Sequence, residues 1–146
     1  MRVFRYKADR LPIALITALF CCDVAIWALV DSPMLLVGWI ILTLTPRGGV
    51  CAFNHHHQHL SVFRIEILNR LLELIYGLQT GITSKGWVLH HSLGHHVHYL
   101  DQTKDESRWL RENGSRMREL EYTFIVAATA YPRMWQVARQ KSSQRR

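Results

Sequence analysis

Cysteine is scarce in this sequence, and its spacing excludes two kinds of small scaffold. The three cysteines are Cys21, Cys22 and Cys51, so no CxxC pair occurs and the number is odd. Disulfide frameworks and zinc knuckles need paired or regularly spaced thiols. Cys21 and Cys22 lie inside an apolar run, where a thiol behaves as a small hydrophobic group. We therefore expect no disulfide and no thiolate metal site.

Charged side chains are almost absent from residues 11–45, which contain only Asp23 and Asp31. Residues 11–30 are long enough for a helix of about 30 Å, which matches the hydrocarbon core of a bilayer. An acidic group inside a membrane usually faces protein or water rather than lipid. We therefore predict that residues 11–30 cross a membrane and that Asp23 faces protein or water.

A turn and a shorter apolar segment follow this first helix. Residues 31–33 read Asp-Ser-Pro, a combination that ends helices and favours turns. Residues 34–45 are apolar but short for a full crossing, and Pro46, Gly48 and Gly49 interrupt the run. Together, residues 11–45 predict a transmembrane helical hairpin.

The basic residues indicate both a partner and an orientation. The formal net charge is +7, which suits either nucleic acid or an anionic membrane surface. Because the basic residues flank apolar segments instead of forming one stripe, we predict a membrane and no nucleic-acid partner. Four of them precede residue 11, and none lies in the turn at residues 31–33. The positive-inside rule then predicts that the N-terminus and residues 54–119 are cytosolic.

Two further segments complete an all-α prediction for a chain that has room for one domain. Residues 62–77 carry apolar side chains at spacings of three and four, with charged side chains mostly on the other face. This pattern indicates an amphipathic helix, either at the membrane interface or on an ordinary globular surface. Residues 120–135 predict a third hydrophobic helix, which is marginal as a membrane span.

The nine histidines form two clusters within residues 55–98. His55 and His59 are four residues apart, as are His91 and His95. In a helix, each pair shares one face and can bind one metal. His96 follows His95 by a helical rotation of about 100°, so neighbouring imidazoles can reach two different metals. Neutral imidazole suits iron, zinc, copper and nickel, and the residues alone do not select among them.

Four more histidines in the same clusters are additional candidate metal ligands: His56, His57, His90 and His98. His98 continues the helical face of His91 and His95. For each of the other three, contact with the ligand residues or with solvent is the alternative that we favour.

The order and spacing of the two clusters resemble the histidine boxes of the membrane fatty acid desaturase superfamily. An HxxxH box that begins at His55 follows the predicted hairpin, and an HxxxHH box begins at His91. The second box, which contains Gly94, is particularly similar to that of the alkane hydroxylase branch. The acidic stretch at residues 101–107 is similar to that branch as well. The resemblance covers about residues 11–135.

This resemblance implies one desaturase-like domain over residues 1–146, with its histidine boxes on the cytosolic side. Such enzymes hold two non-haem irons, activate O2, and desaturate or hydroxylate an acyl or alkyl chain. Their electrons come from a donor of the ferredoxin, rubredoxin or cytochrome b5 type. The positions that match the iron ligands of the family are His55, His59, His91, His95 and His96.

Acidic residues after the second box are candidates for hydrogen bonds that orient ligand histidines, namely Asp101, Asp105 and Glu106. Ordinary solvated charges are the alternative for each of them.

The chain departs from the superfamily in one respect, because no histidine follows His98. The superfamily carries a third histidine box after a second hairpin. The resemblance therefore predicts a chain truncated before that box, with activity that depends on it. A non-catalytic membrane protein that binds zinc or nickel through the two clusters is the alternative hypothesis.

Overall fold

The computed structural model describes residues 2–143 and confirms the all-α class. No strand occurs within that described range. The α-helices are α1 (Arg10–Leu29), α2 (Pro33–Leu42), α3 (Leu44–His59), α4 (Glu66–Thr80), α5 (Ser84–Trp87) and α6 (Glu119–Ser143). Short 3-10 helices occur at Lys7–Asp9 and His96–His98, and a π-helix occupies Val88–His95. The chain divides between residues 84 and 85 into two compact units.

In the first unit, α1 is the predicted membrane span. The helical stretch Lys7–Leu29 is long and apolar enough to cross a membrane. Its apolar side chains point mostly outward, and Leu15, Val24 and Trp27 are each more than half exposed. An outward-facing apolar surface of this kind suits contact with lipid rather than with water.

Asp23 faces protein, as the sequence predicts. Its side chain is nearly buried and accepts hydrogen bonds from Trp39 Nε1 at 2.8 Å and from Arg47 Nη2 at 2.7 Å. Gln79 Nε2 lies 3.4 Å from the other carboxylate oxygen. The Asp23 carboxylate of α1 therefore contacts side chains of α2, α3 and α4.

The second apolar segment is broken earlier than expected. The sequence predicts an interruption at Pro46, Gly48 and Gly49, but α2 ends at Leu42 and α3 runs through all three residues. A proline ring clashes with the carbonyl four residues before it, which places the break near residue 42. Pro46 itself lies in the first turn of α3, where its missing N–H costs no helical hydrogen bond. The two helices are bent by 56° and are together long and apolar enough for a broken membrane span or a re-entrant loop.

The amphipathic helix is present but begins later than predicted, at Glu66 instead of residue 62. The segment before it is extended because its backbone pairs with the N-terminal segment. Arg5 N–H donates to the Val62 carbonyl and Arg64 N–H donates to the Val3 carbonyl, both at 2.9 Å. The sequence could not reveal this pairing, since the partners are about 60 residues apart.

The core of the first unit lies where α1, α3 and α4 meet. It is formed by a set of buried apolar side chains that includes Ile13, Ile16, Val50, Leu72 and Tyr76. This packing fixes the last turns of α3, which carry the first histidine box.

In the second unit, α6 packs against the π-helix. It is longer than the predicted segment at residues 120–135, because it continues to Ser143. Ala130, Met134 and Val137 are buried along one face, whereas Phe124 is exposed. Over its described residues, α6 is not apolar enough to be a candidate membrane-spanning helix.

Candidate metal centre

The first histidine box forms the C-terminal end of α3. His55 and His59 lie on one face, and their ring centroids are 4.9 Å apart. On the other side of the helix, α3 turns Asn54 and His57 into the interior of the unit, where both are buried. The i,i+4 pair is thus presented on the face opposite to the packed one.

The two histidines inside this box pair with carboxylates. Val62 N–H donates to His57 Nδ1 at 3.4 Å, and His57 Nε2 lies 3.8 Å from Glu73 Oε1. His56 Nε2 lies 3.6 Å from Asp9 Oδ1. These contacts place His56 and His57 against acidic partners and away from the face shared by His55 and His59.

The second histidine box is wound differently from the prediction. The sequence predicts an α-helix that turns His96 away from His95, but Val88–His95 is a π-helix. His96 N–H donates to the His91 carbonyl, which is the i→i+5 bond of that winding. His96 Nε2 consequently lies 3.0 Å from His91 Nε2. The expectation that His95 and His96 can reach two different metals is based on α-helical rotation and stays a prediction.

Three imidazoles of the second box form one cluster. The rings of His91 and His95 are stacked with centroids 5.4 Å apart, and the centroid of His96 is 4.4 Å from that of His91. Trp87 packs edge-on against the His91 ring at 5.4 Å. Because Trp87 precedes His91 by four residues, helical spacing could have indicated this contact.

Asp105 lies behind this cluster and holds His95. Its side chain has an exposed fraction of 0%. Its Oδ1 lies 2.7 Å from His95 Nδ1 and also accepts from Ser107 N–H at 2.7 Å. Its Oδ2 accepts from Leu100 N–H at 3.1 Å, which helps to hold Leu100 at a φ of 67°.

The charge state of Asp105 determines the role of each His95 nitrogen. Burial alone would raise the pKa of this carboxyl group, but the hydrogen bonds from His95 and from Ser107 hold it below its usual value. As a carboxylate, Asp105 can only accept, so His95 Nδ1 donates. In the neutral imidazole, the lone pair of His95 is then on Nε2, the atom that a metal would bind.

The remaining predicted site residues lie in other surroundings. Asp101 accepts from the hydroxyl and the N–H of Thr103 at 2.6 and 3.0 Å, which lowers its pKa. Burial lowers the pKa of His90 and, together with the nearby Arg133, favours its neutral form. His98 lines a polar cavity of about 580 Å³.

Glu106 faces α6, where it pairs with a residue that the sequence did not single out. Its Oε2 lies 3.7 Å from Arg133 Nε, and its backbone carbonyl accepts from Arg133 Nη1 at 2.8 Å. Burial raises the pKa of Glu106, and the nearby Arg133 opposes that shift. No local pattern could have indicated Arg133, since it lies 27 residues from Glu106 along the chain.

The chemistry of this donor set fits a transition metal. All the candidate ligands offer imidazole nitrogen, a donor that suits iron and zinc. Two nitrogens bound to one metal at about 2.1 Å and at a right angle would be roughly 3 Å apart. The separation of 3.0 Å between the Nε2 atoms of His91 and His96 is compatible with two ligands of one metal.

Comparison with known protein families identifies a match for this chain. A family model described as fatty acid desaturase matches residues 31–146, which is most of the chain and includes both histidine boxes. No curated protein and no solved structure matches the chain.

Proposed function

The chain belongs to the fatty acid desaturase family, and from that premise we propose that it is a membrane-bound non-haem di-iron oxidoreductase of lipid metabolism. Proteins of this family are generally di-iron dependent, associate with membranes, and act on lipids with electron-transfer partners. The proposed reaction is the O2-dependent desaturation or hydroxylation of an acyl or alkyl chain. The observation that carries the proposal is the cluster of His91, His95 and His96 with Asp105 behind it.

The proposed iron ligands are the five histidines that match the two boxes: His55, His59, His91, His95 and His96. When bound, iron would supply the redox chemistry that side chains alone do not have. His56 and His57 are less suited to this role because they pair with Asp9 and Glu73. For His98 the proposal as a ligand rests on its place in the second histidine cluster, after the HxxxHH box.

The protein's own residues would orient the ligands and admit the substrate. Asp105 fixes His95 with Nε2 as the binding atom. The exposed apolar side chains of α1 suit lateral contact with lipid, the phase from which an acyl chain arrives. The arrangement of basic residues supports a cytosolic position for both boxes. The proposed electron donor is of the ferredoxin, rubredoxin or cytochrome b5 type.

Metal analysis of the detergent-purified chain tests this function. We expect the wild-type protein to retain iron and a variant with His91→Ala, His95→Ala and His96→Ala to lose it. The control is His56→Ala, because His56 lies in a histidine box but pairs with Asp9. Circular dichroism would establish that each variant keeps its helical content.

The same measurement distinguishes the alternative function. Retention of zinc or nickel in preference to iron would favour a non-catalytic metal-binding protein. Iron that remains in the triple variant would contradict the assignment of the second box as a ligand set.

A further inference from the structure

Arg133 of α6 binds the loop that carries Asp105. Its Nη1 donates to the backbone carbonyl of Glu106 at 2.8 Å, and its Nε lies 3.7 Å from Glu106 Oε2. The Arg133 and Glu106 side chains are only 12% and 13% exposed. Arg133 therefore contacts both the backbone and the side chain of the residue directly after Asp105.

Gly94 gives Glu106 the space to adopt this position. Gly94 is buried in the π-helix, and a Cβ atom at this position would overlap Cγ of Glu106. The Glu106 side chain thus lies between the π-helix and α6. Arg133 and Gly94 are both needed for this position of Glu106. Arg133 supplies the compensating positive charge, and the absence of a side chain at Gly94 leaves space for the Glu106 side chain.

The position of this loop matters to His95. Asp105 and Glu106 are consecutive, so a displacement of the Glu106 backbone displaces the Asp105 carboxylate as well. A buried glutamate carboxylate without its basic partner is strongly unfavourable, and the Glu106 carbonyl would also lose its donor, so we expect the loop backbone to shift. The hydrogen bond of 2.7 Å between His95 and Asp105 would then lengthen or break.

We propose that Arg133 is a positioning residue that keeps the Asp105 carboxylate on His95 Nδ1, through Glu106 and the space left by Gly94. His95 is thereby held in the tautomer whose Nε2 lone pair can bind metal. The importance of this tautomer for iron binding rests on the proposed function. The contacts among Arg133, Glu106 and Gly94, which we call the clamp, exist without metal and can be tested in the metal-free protein.

Nitrogen-15 NMR of the full chain, labelled at histidine and held in detergent without metal, reads the tautomer of His95 directly. A His95→Gln variant identifies its signals. We expect the wild-type protein to carry the His95 proton on Nδ1. In Arg133→Gln, we expect a mixture of both tautomers and an iron affinity lower by roughly 10- to 100-fold. Arg133→Lys keeps the charge and should restore part of the wild-type pattern.

Arg139→Gln is the matched control, because Arg139 lies on the same helix, over the Trp135 ring. It should leave the His95 signals unchanged. If Arg133→Gln does not fold, Gly94→Ala displaces Glu106 from the other side and should produce the same mixture. A folded variant of either kind with His95 still protonated on Nδ1 would overturn the proposal.

The two proposals fail in different ways. A wild-type protein that binds no iron, but whose His95 tautomers mix in Arg133→Gln, would reject the iron centre and support the clamp. If the wild type binds iron but the His95 tautomer is unchanged in Arg133→Gln, the iron centre is supported and the clamp is rejected.

Discussion

Asp23 and Arg47 form an ion pair with side chains 11% and 21% exposed, inside an otherwise apolar part of the molecule. If one partner is replaced, the other is left as an unpaired buried charge, which destabilises the fold. If both are replaced by apolar residues, no unpaired charge remains. We expect Asp23→Leu to lower the free energy of unfolding in detergent by about 3 kcal/mol. The double variant Asp23→Leu with Arg47→Leu should lose markedly less than the sum of the single changes.

A double-mutant cycle measured by denaturant unfolding decides this point. Additive losses would mean that the two charges do not stabilise the fold through each other. The role of Asp23 could be predicted from the sequence because a charge inside an apolar helix has few favourable surroundings. The identity of its partners could not, since Arg47 and Gln79 belong to other helices.

At the scale of single elements, the sequence predicted helices well and their winding poorly. The pair His55 and His59 follows from the i,i+4 rule because α3 is an ordinary α-helix. The second box required knowledge of a π-helix, which depends on contacts such as that between Gly94 and Glu106. Asp105 could be named from the sequence as a partner of a histidine, but Arg133 lies too far along the chain.

The start of α6 depends on an ion pair that should respond to pH. Arg111 Nε donates to Glu121 Oε1 at 2.7 Å, and its Nη2 pairs with Oε2. The hydrogen bonds from Arg111 hold the pKa of Glu121 below its ordinary value of 4.5. The stabilisation is therefore complete above the unfolded-state pKa and is lost as pH falls through the folded-state pKa.

Thermal unfolding of Glu121→Gln at several pH values tests this linkage. The wild type should have the higher midpoint at pH 7, and the difference should shrink as the solution is acidified below the ordinary Glu121 pKa of 4.5. Glu112→Gln, in the exposed loop before α6, is the control and should show no such dependence. A difference that stays constant down to acidic pH would contradict the ion-pair explanation.

At the scale of the whole molecule, the first unit exposes many large apolar side chains, and those of α1 and α2 include Trp27, Leu29, Met34 and Leu35. Isolated exposed apolar residues are ordinary in soluble proteins, but contiguous ones mark a surface that avoids water. We expect the expressed chain to stay in the membrane fraction after extraction at alkaline pH and to be released by detergent. Release by alkali alone would contradict a membrane-spanning α1.

The π-helical winding of the second box constrains the number of residues in the segment Val88–His95. In a π-helix each carbonyl bonds one residue further along than in an α-helix, and this extra residue brings His96 back over His91. A deletion of one residue within Val88–His95 would favour α-helical winding and turn His96 aside, even if every histidine remained. Natural variation in this segment should therefore tolerate many substitutions at non-histidine positions but few insertions or deletions. Proteins that keep the metal centre should therefore keep the length of this segment as well as its histidines.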